Sequence, residues 1–335
     1  MNIGLKEAME SKEKKQPMQP LEVDPRIIDS IKGVCENVSS ALLGKSEVVQ
    51  LAMVSLLAEG HLLVEDVPGI GKTLLARAIA KSLSCTFNRI QFTPDLLPSD
   101  LLGTSVYQQN TGAFVFQPGP IFSQIILADE INRSSPRTQS ALLEAMSDRQ
   151  VSIDGETRPL GPPFFVLATQ NPREFEGTYP LPESQLDRFM IRISVGYPDR
   201  SSEKKILIGH RNGEPVDALE SVLSSEDLVA IQGMVCKVAV DDSITDYLLD
   251  LIEVTRRHPD ILLGASTRSA LGLYRASQAI ALMRGRGFVV PDDVKNLAKP
   301  VLAHRIMPRS AGGSGAIRVA EQILSDILDR LVVPE

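Results

Sequence analysis

The stretch LLVEDVPGIGKTLLARAIA, residues 62–80, is the one on which the fold turns. A short apolar run suited to a buried strand, His61–Glu65, passes into a loop holding Pro68, Gly69 and Gly71. Beyond it Leu75, Ile79 and Leu83 recur every four residues, so the segment after Lys72 reads as a helix packing one face inward. Strand, glycine loop and helix are the context that the phosphate-binding pattern G-x-x-x-x-G-K-[ST] requires. Gly71, Lys72 and Thr73 fill its last three places, but Asp66 stands where the first glycine belongs. Asp tolerates unusual turn dihedrals and its side chain can cap nearby amides, so its carboxylate is expected to point away from the phosphates. Close approach to phosphate then falls to Gly69 and Gly71, with Pro68 stiffening the turn.

Lys72 and Thr73 open a helix whose N-terminal amides and dipole favour anions. Lys72 can reach the β- and γ-phosphates of ATP while the Thr73 hydroxyl takes Mg²⁺. A plain glycine turn would explain the glycines but not a Lys-Thr pair at the helix start. A second piece is IILADE, residues 125–130, an apolar run ending in two acids. A strand ending there places Asp129 beside the Thr73 hydroxyl to hold Mg²⁺, and Glu130 one residue on to polarise the attacking water. Alone it would be an ordinary strand end with solvated acids; the 57 residues from Lys72 to Asp129 leave room for a helix, a strand and an insertion. Third, FFVLATQNP, residues 164–172, ends a strand with Asn171, placed to hydrogen-bond the γ-phosphate or the water; a turn-forming Asn before Pro172 is an equal alternative.

A chain of 335 residues with 43% hydrophobic content can bury a sizeable core. A net charge of −7 and a pI near 5.3 argue against a general nucleic-acid or membrane-surface binder and leave open a local basic groove. Cys35, Cys85 and Cys236 form no C-x-x-C pair and read as buried reduced thiols of a cytosolic protein. No apolar run reaches the roughly 20 residues that cross a bilayer. Residues 1–20 read as a charged, partly disordered lead-in, of which residues 1–19 lie outside the residues described below. From 21 to 198, strand candidates His61–Glu65, Phe87–Phe92, Gln124–Ala128, Phe164–Thr169 and Arg188–Val195 alternate with helix-like segments, as in a parallel sheet covered on both faces. From 199 to 335 the texture is helical with no convincing strand, and after PRSAGGSGA a final amphipathic helix aligns Ile317, Ala320, Leu324, Ile327 and Leu331.

With these pieces in order the chain resembles the AAA+ ATPases, and more narrowly the MoxR family. The narrow resemblance rests on VEDVPGIGKT, FTPDLLPSDLLG, GPIFSQIILADEINRSSPRTQSALLEAMSDRQV, ATQNPREFEGTYPLPESQLDRF and GASTRS, spread from Leu43 to Arg309. Some MoxR-like sequences carry Glu-Asp before the Val-Pro of the loop, so Asp66 departs from the general pattern more than from the family. The resemblance implies a P-loop NTPase (AAA+) α/β core with a five-stranded parallel sheet and two β-hairpin insertions, followed by a smaller all-helical lid. It implies ATP and Mg²⁺ as ligands, with Ile70 and Leu74 completing the nucleotide-binding loop. Asn171 then reads as the sensor that couples phosphate to the sheet. Arg188, in LDRF, falls where the arginine finger reaches a neighbouring subunit's γ-phosphate; an ion pair with Glu183 or Asp187 is the alternative. Arg268, in GASTRS, matches the lid arginine that senses nucleotide; just after a Ser266 or Thr267 cap it lies at the positive end of a helix dipole, a cost that a bound phosphate would offset. Arg133 is another candidate for a contact across subunits, or a solvated helix-start residue. LLGKSEVV matches the segment that cups adenine, with Leu43 and Gly44 closest. A homo-oligomeric ring, hexameric by resemblance, and a client or adaptor with a von Willebrand factor A domain are also implied.

Two hairpins are expected as insertions. The first, GTSVYQQNTGAFVFQPGP, turns at Asn110-Thr111-Gly112, bears Tyr107, Phe114 and Phe116, and lies within a span, Leu101 to Ala128, without one charged side chain. The second, DRQVSIDGETRPLG, turns at Asp154-Gly155 and carries three acids against two arginines. A DNA motor needs Lys or Arg at such tips. A protein-remodelling ATPase is therefore the first reading, a DNA translocase or chelatase-like subunit the second, and a slow nucleotide switch the third.

Overall fold

The computed structural model describes residues 20–67, 69–171, 178–209, 213–310 and 315–334. Asp24 accepts the Arg26 amide and Pro25 fills the first turn, which starts helix α1, Pro25–Ala41. Helix α2, Ser46–Leu57, is apolar nearly all round and buried. Then follow β1 (Leu62–Glu65), α3 (Lys72–Ser82), β2 (Phe87–Gln91) and α4 (Pro98–Leu102). Hairpin β3–β4 (Gly103–Gln108, Ala113–Pro118) leads to β5 (Ile125–Asp129) and α5 (Pro136–Asp148). Hairpin β6–β7 (Gln150–Ile153, Glu156–Pro159) precedes β8 (Phe165–Gln170), α6 (Glu183–Leu186) and β9 (Ile191–Ile193). The remainder is α7 (Arg200–Gly209), α8 (Ser225–Val235), α9 (Asp242–Arg257), β10 (Ile261–Leu263), α10 (Thr267–Met283), α11 (Pro291–Leu302), β11 (Met307–Pro308) and α12 (Ala316–Arg330).

The expected five-stranded sheet is present among the described residues, in the order β2-β5-β8-β1-β9, with every pairing parallel. The pleat sends alternate side chains to opposite faces. Leu62 and Val64 of β1 enter one core with α1, α2, α3 and the helices from α8 onward, while Leu63, Ile126 and Val166 enter the other with α5. Because all strands run one way, Glu65, Gln91, Asp129 and Gln170 gather at the carboxyl edge. The opposite edge begins at His61, whose carbonyl accepts the Met190 amide just before β9.

Two expectations are corrected. The strand predicted over Arg188–Val195 shrinks to Ile191–Ile193, because the amides of Arg188 and Phe189 bond back to the Gln185 and Leu186 carbonyls and form a helical turn. The helical region also holds a small antiparallel pair, β10 with β11, too short for periodicity to reveal. Both hairpins form where their turn residues place them. Asp154 and Gly155 have φ of 54° and 78°, the pair of left-handed residues that suits a tight hairpin. The two hairpins touch: Ser105 Oγ donates to the Asp154 carboxylate at 2.6 Å, and the Arg158 guanidinium lies 4.0 Å from the centre of the Phe116 ring. Tyr107 and Phe114 pair across the first hairpin at 5.3 Å yet remain exposed, Phe114 at 72%.

Candidate functional site

At the carboxyl edge the loop after β1 turns on Gly69 and Gly71, whose φ of 82° and 96° lie in the region that favours glycine. Gly71 caps α3 without any side-chain hydrogen bond, which leaves the helix N-terminus available to an anion. The Lys72 ammonium donates to the Asp66 carbonyl at 2.6 Å. Asp66 itself does not take a left-handed φ, so the first place of the pattern needs no glycine here. Its carboxylate turns toward the end of β9, accepting from the Val67 amide (2.8 Å), the Ser194 hydroxyl (2.7 Å) and the Gly196 amide (2.6 Å). Burial alone would raise its pKa, but these three donors, with Lys72 nearby, outweigh burial and hold it below the ordinary carboxylate value. Pro68 lies outside the described residues.

A cavity of about 420 Å³ opens here and brings together Gly69, Gly71, Lys72, Thr73 and Leu74 from the loop and α3 with Asp129, Glu130 and Asn171 from the ends of β5 and β8. The Asp129 carboxylate accepts from Thr169 Oγ1 at 2.6 Å and from Arg89 Nη2 at 2.7 Å. Glu130 adopts a left-handed φ of 57°, held by its amide donating to Thr169 Oγ1 at 2.8 Å. Its carboxylate accepts from Gln91 Nε2 (2.8 Å) and Arg133 Nη1 (2.9 Å). Arg133 therefore sits with the acids of its own chain. Arg89 and Gln91 were missed from the sequence. Their signal is two polar residues at period two in a strand, and Gln91 is in register with Asp129. The donor set, a hydroxyl and two carboxylates beside an ammonium and a helix N-terminus, is one that Mg²⁺ and a polyphosphate would fit.

A second cavity, of about 580 Å³, shares Gly69, Gly71 and Leu74 with the first and is walled by Leu42, Leu43, Ile70, Tyr197, Pro198 and Ile206. Its apolar lining suits a planar base. Gly44 is not among these wall residues; it makes the turn before α2 with φ +75°, where a Cβ would lie 2.5 Å from Ser202 Oγ.

Arg188 and Arg268 are not brought to either cavity. Both line a cleft of about 280 Å³ at the opposite, amino edge of the sheet, together with Arg149, Arg275 and Arg305. Arg188 Nη1 donates to the Leu143 carbonyl at 2.6 Å and to the Ser147 hydroxyl, so neither Glu183 nor Asp187 is its partner. Asp187 instead accepts from Ser266 and Ser269 at 3.1 and 3.2 Å. Ser266 caps α10 as expected and sets Arg268 in its first turn. Packing sets Arg268 at this edge: α10 lies on α2, α9 and α11, with its start tied to Asp187 just before β9. The strand length between the two edges, four residues in β1, is roughly 13 Å. Cys236, expected buried, is exposed and touched by Arg275.

Comparison with known proteins bears on family and fold. The family described as "ATPase family associated with various cellular activities (AAA)" matches residues 61–191, and the one described as "AAA lid domain" matches residues 253–327. The chaperone MoxR1 of Mycobacterium tuberculosis is 42% identical, over 81% of this chain and 74% of its own. The uncharacterised protein YeaC of Bacillus subtilis is 48% identical, over 89% of this chain and 93% of its own. A solved structure of a candidate ATPase from Cytophaga hutchinsonii superposes with a TM-score of 0.84 at 39% identity, covering 93% of this chain and 97% of that one.

Proposed function

Because the chain belongs to the MoxR family of AAA+ ATPases, we propose that it works as a ring in which each ATP is held by one subunit and completed by arginines of the next, to remodel client proteins. The observation that supports this most directly is the division of labour between the two edges of the sheet. Lys72, Thr73, Asp129, Glu130 and Asn171 converge at one edge of the sheet while Arg188 and Arg268 line a separate cleft at the other.

In this reading the base enters the apolar cavity beside Leu43 and Ile70, and the phosphates lie on the amides after Gly69. Lys72 leaves the Asp66 carbonyl for the β- and γ-phosphates. Thr73 and Asp129 are the residues that would hold Mg²⁺, which would neutralise charge across the phosphates. Arg89 holds the Asp129 carboxylate in place. Glu130 orients the water and takes its proton, and Asn171 contacts the γ-phosphate from the end of β8. Arg188 and Arg268 of the adjacent subunit offset the charge that develops on the transferred phosphoryl group.

The paired, uncharged aromatic hairpin β3–β4 is the surface proposed to meet a polypeptide, and client maturation or metal-cofactor insertion through a von Willebrand factor A adaptor is the setting the family suggests. Its tip offers no cation to a nucleic-acid backbone. Glu130→Gln protein loaded with ATP tests the reading. It is expected to bind nucleotide, to stall hydrolysis and to retain a protein client on isolation. Hydrolysis at the wild-type rate would remove Glu130 from its role, and turnover elicited only by DNA would replace the protein client with nucleic acid.

A further inference from the structure

We propose that Arg305 is the positioning residue that fixes Arg188 and Arg268 relative to one another, so that both meet the same neighbouring phosphate. The proposal rests on the reading that these two arginines act across a subunit boundary. Arg305 follows α11 and its side chain is only 3% exposed. Its Nη2 donates to the Phe189 carbonyl at 2.8 Å and to the Asp187 carbonyl at 3.2 Å, the two residues that bracket Arg188. Its Nε lies 3.5 Å from the Asp187 carboxylate, which also accepts from Ser266 and Ser269 at the start of α10. Its Nη1 rests against α10 at Gly272, where a Cβ would come within 2.8 Å of it. Gly272 is four residues beyond Arg268 and so lies on the same face of α10. One guanidinium thus touches the turn carrying Arg188 on both sides and the helix carrying Arg268 one turn along.

The arrangement carries a cost for folding. Neither Nε nor Nη1 has a hydrogen-bond acceptor, and a buried cation with unfilled donors costs stability. Burial pushes its pKa down to about 10, against the opposing pull of Asp187, so it remains a cation at neutral pH. An apolar side chain of similar length would fill the space with no unfilled donors, while leaving the Asp187 and Phe189 carbonyls without this partner. What Met could not supply is the pair of carbonyl bonds that sets the direction of the Asp187–Phe189 turn.

The test uses full-length Arg305→Met, Arg305→Lys and Gly272→Ala, with Arg188→Ala as the reference. Arg305→Met is expected to bind ATP with an unchanged dissociation constant and an unchanged KM while kcat falls roughly tenfold to a hundredfold, the scale of a misplaced catalytic group. Arg305→Lys, with one point donor in place of a fork, is expected to recover only part of that loss. Gly272→Ala improves helix propensity and pushes on the guanidinium, so it is expected to lose kcat without a lower melting temperature. The deciding measurement is complementation. Mixed with Lys72→Ala, Arg305→Met supplies an intact nucleotide edge and the partner supplies an intact arginine edge, so hydrolysis reappears. A protein that had merely failed to fold could not do this. If Arg188→Ala is rescued by Lys72→Ala and Arg305→Met is not, or if Gly272→Ala and Arg305→Met turn over like wild type, the role of Arg305 is overturned. If Arg188→Ala is not rescued either, the fault lies in the reading of two subunits sharing a site.

Discussion

Asp66 is where local sequence and local structure disagree most usefully. The general pattern asks for glycine because many phosphate loops need a left-handed residue at the strand exit, yet here that need has moved to Gly69 and Gly71. Freed from it, position 66 uses a carboxylate to gather the Ser194 hydroxyl and the Gly196 amide, tying the loop to the segment that follows β9. Asp66→Gly, which restores the general pattern, is therefore expected to do harm: a loss of about 1–2 kcal/mol in thermal or urea unfolding, from the amide and hydroxyl left unpaired, and weaker ATP binding by titration. An unchanged or stabilised variant would show that the carboxylate is incidental. Lys72→Ala is expected to abolish ATP binding altogether, which equilibrium titration reads. The orientation of Asp66 was legible in the sequence because an Asx residue has few local options. Its partners were not, because Ser194 and Gly196 are more than 120 residues away in the chain.

Elements read well where their signals are local. The strand-loop-helix of residues 62–82 and both hairpins follow from periodicity and from turn residues whose dihedrals few others adopt. β9 was overread because an apolar run continues through the turn at Arg188, and only the hydrogen bonds back to α6 decide where it ends. His61 shows what holds the amino edge together. The Val166 amide donates to its Nδ1 and its Nε2 reaches the Met146 carbonyl, both at 3.1 Å, so the neutral ring links β1 to β8 and α5. Burial pushes its pKa from 6.5 down to about 4, the Met146 carbonyl opposing and the Arg149 charge adding to the effect. Below pH 6.5 the unfolded chain takes up a proton that the folded chain refuses until about 4, so stability falls across that window and is complete above it. Melting temperature is expected to drop by an amount equivalent to at most about 3 kcal/mol from this group, and His61→Gln to flatten the slope between pH 6.5 and 4. An identical slope in the variant would assign the acid sensitivity elsewhere. For hairpin β3–β4, Phe114→Ser together with Tyr107→Ser is expected to abolish the increment in ATPase rate that a client protein elicits; a full increment would move the client to another surface.

At the scale of the whole molecule, the proposed mechanism rests on the placement of α10. Residue by residue, Arg268 carries the mark of a phosphate-sensing arginine: a capped helix start with a cation in the first turn. Which phosphate it could sense was not written locally, because it depends on helices from both ends of the chain, α2 and α11, meeting α10 in one core. That core carries Arg268 to the amino edge beside Arg188 and leaves Lys72 and Glu130 at the carboxyl edge. In the proposed reading, two half-sites on opposite edges make a monomer incomplete and call for a head-to-tail assembly, whose heterologous interface would close into a ring. The most direct test is to titrate Lys72→Ala protein into Arg188→Ala protein at fixed total concentration and follow ATP hydrolysis. Each variant alone is expected to be inactive, and the mixture to pass through a maximum at intermediate ratios, where intact nucleotide edges face intact arginine edges. A rate that stays at the level of the separate variants at every ratio, in assemblies shown by mass to have exchanged subunits, would contradict the account.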